Sequence, residues 1–150
     1  MSGDGLSDLV VVRNGALSYW PNLGLGHFGQ RVDMPGLSVF DHDELFASSR
    51  VRLADVDGSG AADLVYFDAD GARVWMNASG NHFVEEARVQ GFPRVDQVTH
   101  ADLVDLTGTG TADLIWSSSL PAYRGQSLRY VELQPEGKPY LLTAVRNNLG

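Results

Sequence analysis

The chain has 150 residues, 43% of them apolar and 20% charged, which is one domain's worth of ordinary globular composition and excludes intrinsic disorder. Its formal net charge of -8 argues against nucleic acid as a partner, because phosphate binding is mainly electrostatic. Cysteine is absent, which excludes disulfides, a thiolate nucleophile and a thiolate metal site. No apolar run reaches the length of a membrane span. Met1-Ser2-Gly3-Asp4-Gly5 has no signal-peptide pattern, so export would require another route or a larger parent chain.

Strand signals run along the whole chain. Leu9-Val10-Val11-Val12, the turn dipeptide Asn14-Gly15, and Ala16-Leu17-Ser18-Tyr19-Trp20 read as a hairpin. A third strand is expected to begin at Phe28, and residues 35–49 read as a loop insertion with at most one helical turn at 43–48. Val51-Arg52-Leu53-Ala54 is the next strand. Leu64-Val65-Tyr66-Phe67, Asp70-Gly71 and Ala72-Arg73-Val74-Trp75-Met76 repeat the first hairpin, and Phe83 repeats Phe28. Further strands are expected at 101–104, 129–133 and 140–143, the last two around a Pro135-to-Pro139 turn.

Three segments align on Asp8, Asp63 and Asp113. Each reads Gly-x-Gly-x-x-Asp-Leu and then a β-branched residue, at separations of 55 and 50 residues. Units of this size, each holding about four antiparallel strands, point to propeller blades. The expected architecture is all-β: a partial β-propeller of about three four-stranded antiparallel blades, in units of about 1–49, 50–99 and 100–150.

The second loop is the richest in oxygen. Asp55, Asp57, Ser59 and Asp63 stand at loop positions one, three, five and nine, with Gly58 and Gly60 between them. Hard cations such as calcium take several oxygen ligands in a compact loop. The candidate set is the side chains of Asp55, Asp57, Ser59 and Asp63 plus the Ala61 carbonyl, completed by water, around a structural Ca2+. It is not an EF-hand: position twelve is Tyr66, and a strand follows rather than a helix. The third loop offers Asp105, Thr107, Thr109 and Asp113, a poorer set with two carboxylates, and the first offers Asp4 and Asp8. The alternative is that these aspartates cap turns through backbone N–H groups.

Other candidates read as structural. His27 and His82 occupy equivalent repeat positions without a second ligand beside them. Trp20, Trp75 and Trp116 recur at strand ends and are expected to pack between blades, with sugar stacking as the alternative. Asn77 is expected to serve a turn, and Asp41, His42, Asp43 and Glu44 to be solvated. No catalytic group stands apart from the repeat, so the chain is expected to be non-enzymatic.

These residues carry a resemblance. Asp-x-Asp-x-Ser-Gly-x-x-Asp-Leu-Val at residues 55–65, with the Trp-x-Asn elements Trp20-Pro21-Asn22 and Trp75-Met76-Asn77, resembles the FG-GAP or VCBS repeats of integrin-α-like β-propellers. More narrowly, residues 51–83, 104–110, 116–118 and 138–142 and the ending Asn147-Asn148-Leu149-Gly150 are similar to the propeller region of Tc insecticidal toxin B subunits and SpvB-type proteins. The resemblance implies a secreted role within a larger bacterial chain. There the propeller closes a toxin-containing shell and docks on the pore-forming A subunit. About three blades do not close a ring, so the remaining blades or a second copy are expected to complete it, with residues 140–145 as a closing strand. Nothing precedes Asp8 to match the strand at 51–54, which fits truncation or strand exchange. Two function classes follow: a protein-interaction scaffold, or a carbohydrate-binding or adhesion propeller.

Overall fold

The computed structural model describes residues 1–96, 98–135, 142 and 144–146. Among the described residues twelve strands form in order: β1 Leu9–Arg13, β2 Ala16–Trp20, β3 Asn22–Gly24, β4 His27–Phe28, β5 Val32–Met34, β6 Val51–Ala54, β7 Asp63–Asp68, β8 Gly71–Asn77, β9 Phe83–Arg88, β10 Thr99–Val104, β11 Asp113–Ser118 and β12 Leu128–Val131. They make three successive antiparallel sheets, β1-β2-β5, β6-β7-β8-β9 and β10-β11-β12, with β3-β4 as a separate small hairpin. The fold is all-β, a partial propeller.

The central sheet explains the sequence pattern of its strands. All six residues of β7 are buried, although a half-buried strand would alternate. Leu64 and Tyr66 face the first sheet, in a core with Leu17, Tyr19, Met34 and Trp75. Val65 and Phe67 face the third sheet, in a core with Val74, Leu114 and Trp116. Successive side chains point to opposite faces of a strand, so a blade flanked on both sides is apolar at every position. β1, with a neighbouring sheet on one face only, shows the ordinary alternation.

The two hairpins have the same two-residue loop at equivalent positions, but the glycine stands one residue later in the second. The β1–β2 loop is Asn14-Gly15, since Arg13 pairs Ala16. In β7–β8 Asp68 pairs Gly71, so the loop is Ala69-Asp70 and Gly71 already belongs to the strand. Asp68 Oδ1 accepts the Asp70 N–H at 2.8 Å, which stabilises the turn without an Asp-Gly loop.

The third strand of the first sheet does not begin at Phe28. Gly24, Leu25 and Gly26 all have positive φ and turn β3 back onto β4, where Phe28 pairs Asn22 and is half exposed. The third strand is β5 instead. In the second unit the turn after Asn77 delivers Phe83 directly into β9, where it is buried. The strand expected at 140–143, the 136–139 part of its turn, and the 147–150 ending lie outside the described residues, apart from Leu142.

Residues 35–49, read as a loop insertion, form a packed strap over the junction of the first two sheets. The strap contains a turn at His42, whose carbonyl accepts the Leu45 and Phe46 N–H groups, and leads into a 3-10 turn at Ser48–Arg50. Phe40 is buried and stacks on Tyr66 at 5.3 Å and meets Trp75 edge-on at 5.0 Å. Asn14 holds the strap: its Nδ2 donates to the Asp41 carbonyl and Asp43 Oδ1, and its Oδ1 accepts the Phe40 and Asp41 N–H groups. Gly36 starts the strap with φ +98, and a methyl group there would collide with the Phe83 carbonyl oxygen. Gly36→Ala is therefore expected to cost at least about 2 kcal/mol of stability, read as a lower denaturation midpoint.

Candidate metal centre

The second repeat loop joins β6 to β7. Its chain reversal depends on Gly58 and Gly60, at φ +80 and +89, a region that glycine enters without a Cβ penalty. Asp55 spans the loop: Oδ1 accepts the Gly58 N–H at 2.6 Å and Oδ2 the Gly60 N–H at 2.9 Å. Asp57 accepts the Ser59 N–H at 2.8 Å, and Ser59 Oγ accepts the Ala61 N–H at 3.3 Å. Asp63, the first residue of β7, is fully buried. Its two oxygens accept the Val56 N–H at 2.9 Å and the Asn77 N–H at 2.7 Å.

The Asp63 pattern recurs in each unit. Asp8 accepts the amino nitrogen of Met1 at 2.6 Å and the Asn22 N–H at 2.8 Å. Asp113 accepts the Leu106 N–H at 3.2 Å. The first donor lies 7 residues before the aspartate in all three units. The second lies 14 residues after it in two. In the second unit the aspartate is thus a clasp that ties its loop to the end of the neighbouring strand β8. The asparagine of Trp-x-Asn completes it. Asn77 Nδ2 donates to the Ala62 carbonyl and Asn22 Nδ2 to the Ser7 carbonyl, each carbonyl just before the clasp aspartate. Asn77 also reaches the Met1 carbonyl and accepts the Gly80 N–H, which extends its role beyond the expected turn. The third unit has no asparagine at this spacing and lacks that half of the clasp.

Asp55, Asp57 and Asp63 each place a carboxylate oxygen within 4.8 Å of the other two. Burial, with the charges of Asp57 and Asp55 acting in the same direction, pushes the Asp63 pKa up to about 6 against the pull of its two N–H donors. Three converging carboxylates are a donor set of the kind a hard cation takes, with no imidazole beside them among the described residues, and five of their oxygens already accept backbone N–H groups. The third loop differs. Asp105 accepts the Thr109 and Gly110 N–H groups. The Thr107 hydroxyl bonds Asp113 at 3.4 Å, and the Thr109 and Thr111 hydroxyls bond each other at 2.9 Å. Hydroxyl groups there satisfy the oxygens that carboxylates leave facing one another in the second loop. In the first loop Asp4 caps the Leu6 N–H.

The other singled-out residues stand apart from this centre. Trp75 and Trp116 are each 1% exposed, packed in the two inter-sheet cores, with the Trp116 Nε1–H on the Arg94 carbonyl. Trp20 is half-buried, and His27 and His82 are exposed. Of the residues expected to be solvated, Asp43 has its carboxylate on Asn14, while Asn14 holds Asp41 through its main chain. No helix among the described residues is long and apolar enough to cross a membrane.

The FG-GAP-like repeat model matches residues 1–66 and 55–116. The chain belongs to the FG-GAP-like repeat family. Among solved structures, it is similar to the toxin protein TcdB2-TccC3, with 34% identity and a TM-score of 0.76 over 88% of this chain and 6% of that one. It is similar to a part of the Photorhabdus luminescens Tc holotoxin pore, with 36% identity and a TM-score of 0.69 over 85% of this chain and 6% of that one. An N-acetylglucosamine-recognising lectin of Agrocybe aegerita shares the fold at 23% identity, with a TM-score of 0.61 over 77% of this chain and 30% of that one. The comparison with curated proteins gave no match. The FG-GAP-like chain thus spans 6% of the length of the toxin structures it matches.

Proposed function

We propose that this FG-GAP-like chain is a non-catalytic scaffold segment of a toxin-complex B-type propeller. Its role is to dock protein partners, namely the remaining propeller blades and a pore-forming A-type subunit, as part of a secreted bacterial assembly. The observation that carries this reading is the 33–36% identity to toxin-complex structures over 85–93% of the chain. The exposed apolar face of β1, with Leu9 54% and Val11 39% exposed, supports completion by further blades or by a second copy. The alternative, a sugar-binding propeller, has less support, because two of the three candidate stacking rings are buried. Immobilised chain is expected to retain a purified Tc A-type subunit and to give no signal on a glycan array. Glycan binding without A-subunit retention would overturn the proposal.

Within this reading Asp55, Asp57, Ser59 and Asp63, with the Ala61 carbonyl, would hold a structural Ca2+. When bound, the ion would neutralise the three facing carboxylates. Its signature is pH-dependent. The folded-state pKa of Asp63 lies above its ordinary value of 3.8, so without the ion its contribution to stability is fully present below about pH 4 and is lost as pH rises through about 6. A cation competes with that proton. The rise in Tm on adding millimolar calcium is therefore expected to be larger at pH 7.5 than at pH 5. A Tm indifferent to calcium and to chelator at both pH values would remove the ion from the account.

A further inference from the structure

The clasp aspartates give each sheet position an equivalent in the next unit. Counting from Asp8 and Asp63, Val11 corresponds to Tyr66, Arg13 to Asp68, Ser18 to Arg73 and Trp20 to Trp75. On the second sheet two of these positions, Tyr66 and Trp75, are the floor on which the strap seats Phe40, and Tyr66 also stacks on Phe46. On the first sheet three of these positions, Val11, Arg13 and Ser18, line an open hollow of about 470 Å3 together with Arg31, Asp33 and Leu37. Val11 is 39% exposed there, whereas its equivalent Tyr66 is 0% exposed beneath Phe40 and Phe46.

We propose that this hollow is a docking site for a loop that presents a phenylalanine beside acidic residues, the strap of another FG-GAP-type unit. Two observations select this occupant. The first is continuity: the same repeat positions already receive such a loop one unit along the chain. The second is charge. The strap reads Phe40-Asp41-His42-Asp43-Glu44, and the hollow carries Arg13 and Arg31, both exposed. Arg31 is held across the floor by Asp33 at 2.8 Å and Ser18 at 3.0 Å, which fixes a donor beside the apolar seat of Val11. An aromatic anchor in a pocket with a charged rim is the usual anatomy of a small protein interface. The inference rests on the repeat and needs neither calcium nor a toxin partner.

The test is fluorescence anisotropy of a labelled peptide copying residues 37–47, titrated with the whole chain. Saturable binding is expected, weakened about tenfold or more when alanine replaces phenylalanine at peptide position 40. Val11→Asp and Arg13→Glu, both on exposed side chains, are expected to weaken it similarly with Tm unchanged. Absence of saturable binding would overturn the site. So would binding that neither variant alters, since the peptide would then have displaced the chain's own strap from Tyr66 and Trp75.

Discussion

Trp75→Ala is expected to lower the unfolding free energy by about 3–5 kcal/mol, the range for emptying a large aromatic site in a core. The indole lies between the first and second sheets, 1% exposed. Phe40 meets it edge-on at 5.0 Å, and the Arg73 guanidinium stands 5.2 Å above its ring. Removing the ring opens a cavity and also takes away the seat of the strap, so the loss reaches past the deleted atoms. Trp75→Phe is expected to cost much less, about 1–2 kcal/mol. It keeps an aromatic ring, and Trp75 Nε1 has no hydrogen-bond acceptor among the described residues, so no bond is lost. Urea denaturation of the two variants checks both values. Equal destabilisation by Ala and Phe would show that volume is not what the site supplies.

Asp63→Ala is expected to cost about 2–4 kcal/mol, because two buried backbone N–H groups, those of Val56 and Asn77, lose their acceptor at about 1–3 kcal/mol each. Part of this is offset, since a buried carboxyl with a raised pKa carries a desolvation cost of its own. Asp55→Ala is expected to cost less, about 1–2 kcal/mol, as its bond to Gly60 is exposed and its bond to Gly58 only part-buried. The order Asp63 above Asp55 is the expectation of a clasp. A dedicated ion site would rank the two together.

The repeat was legible because its parts are local. Asn14-Gly15 sets a hairpin, the glycines of the second loop set a reversal, and the aspartate follows at a fixed spacing. The two readings of that aspartate, ligand or cap, were both visible, but only folded geometry shows its oxygens on Val56 and Asn77. The 14-residue link from Asp63 to Asn77 was present in the sequence as Trp-x-Asn following Gly-x-Gly-x-x-Asp. It remained unread because an asparagine at a strand end usually serves its own turn. The strap was illegible for a different reason. Phe40 and Phe46 lie in a segment without period two or 3.6, and their packing is decided by Tyr66 and Trp75, which lie 20 or more residues away. Phe28 and Phe83 share a sequence position, yet the Gly24-Leu25-Gly26 turn diverts only the first.

By its hydrogen bonds to Val56 and Asn77, Asp63 is a joint between its loop and β8 that needs no ion. The most direct measurement is chemical denaturation of wild-type chain and Asp63→Ala, each in excess chelator and in millimolar calcium. The account predicts that Asp63→Ala loses about 2–4 kcal/mol already in chelator, with any calcium-dependent loss added on top. An Asp63→Ala chain as stable as wild type in chelator, and weaker only when calcium is present, would contradict it.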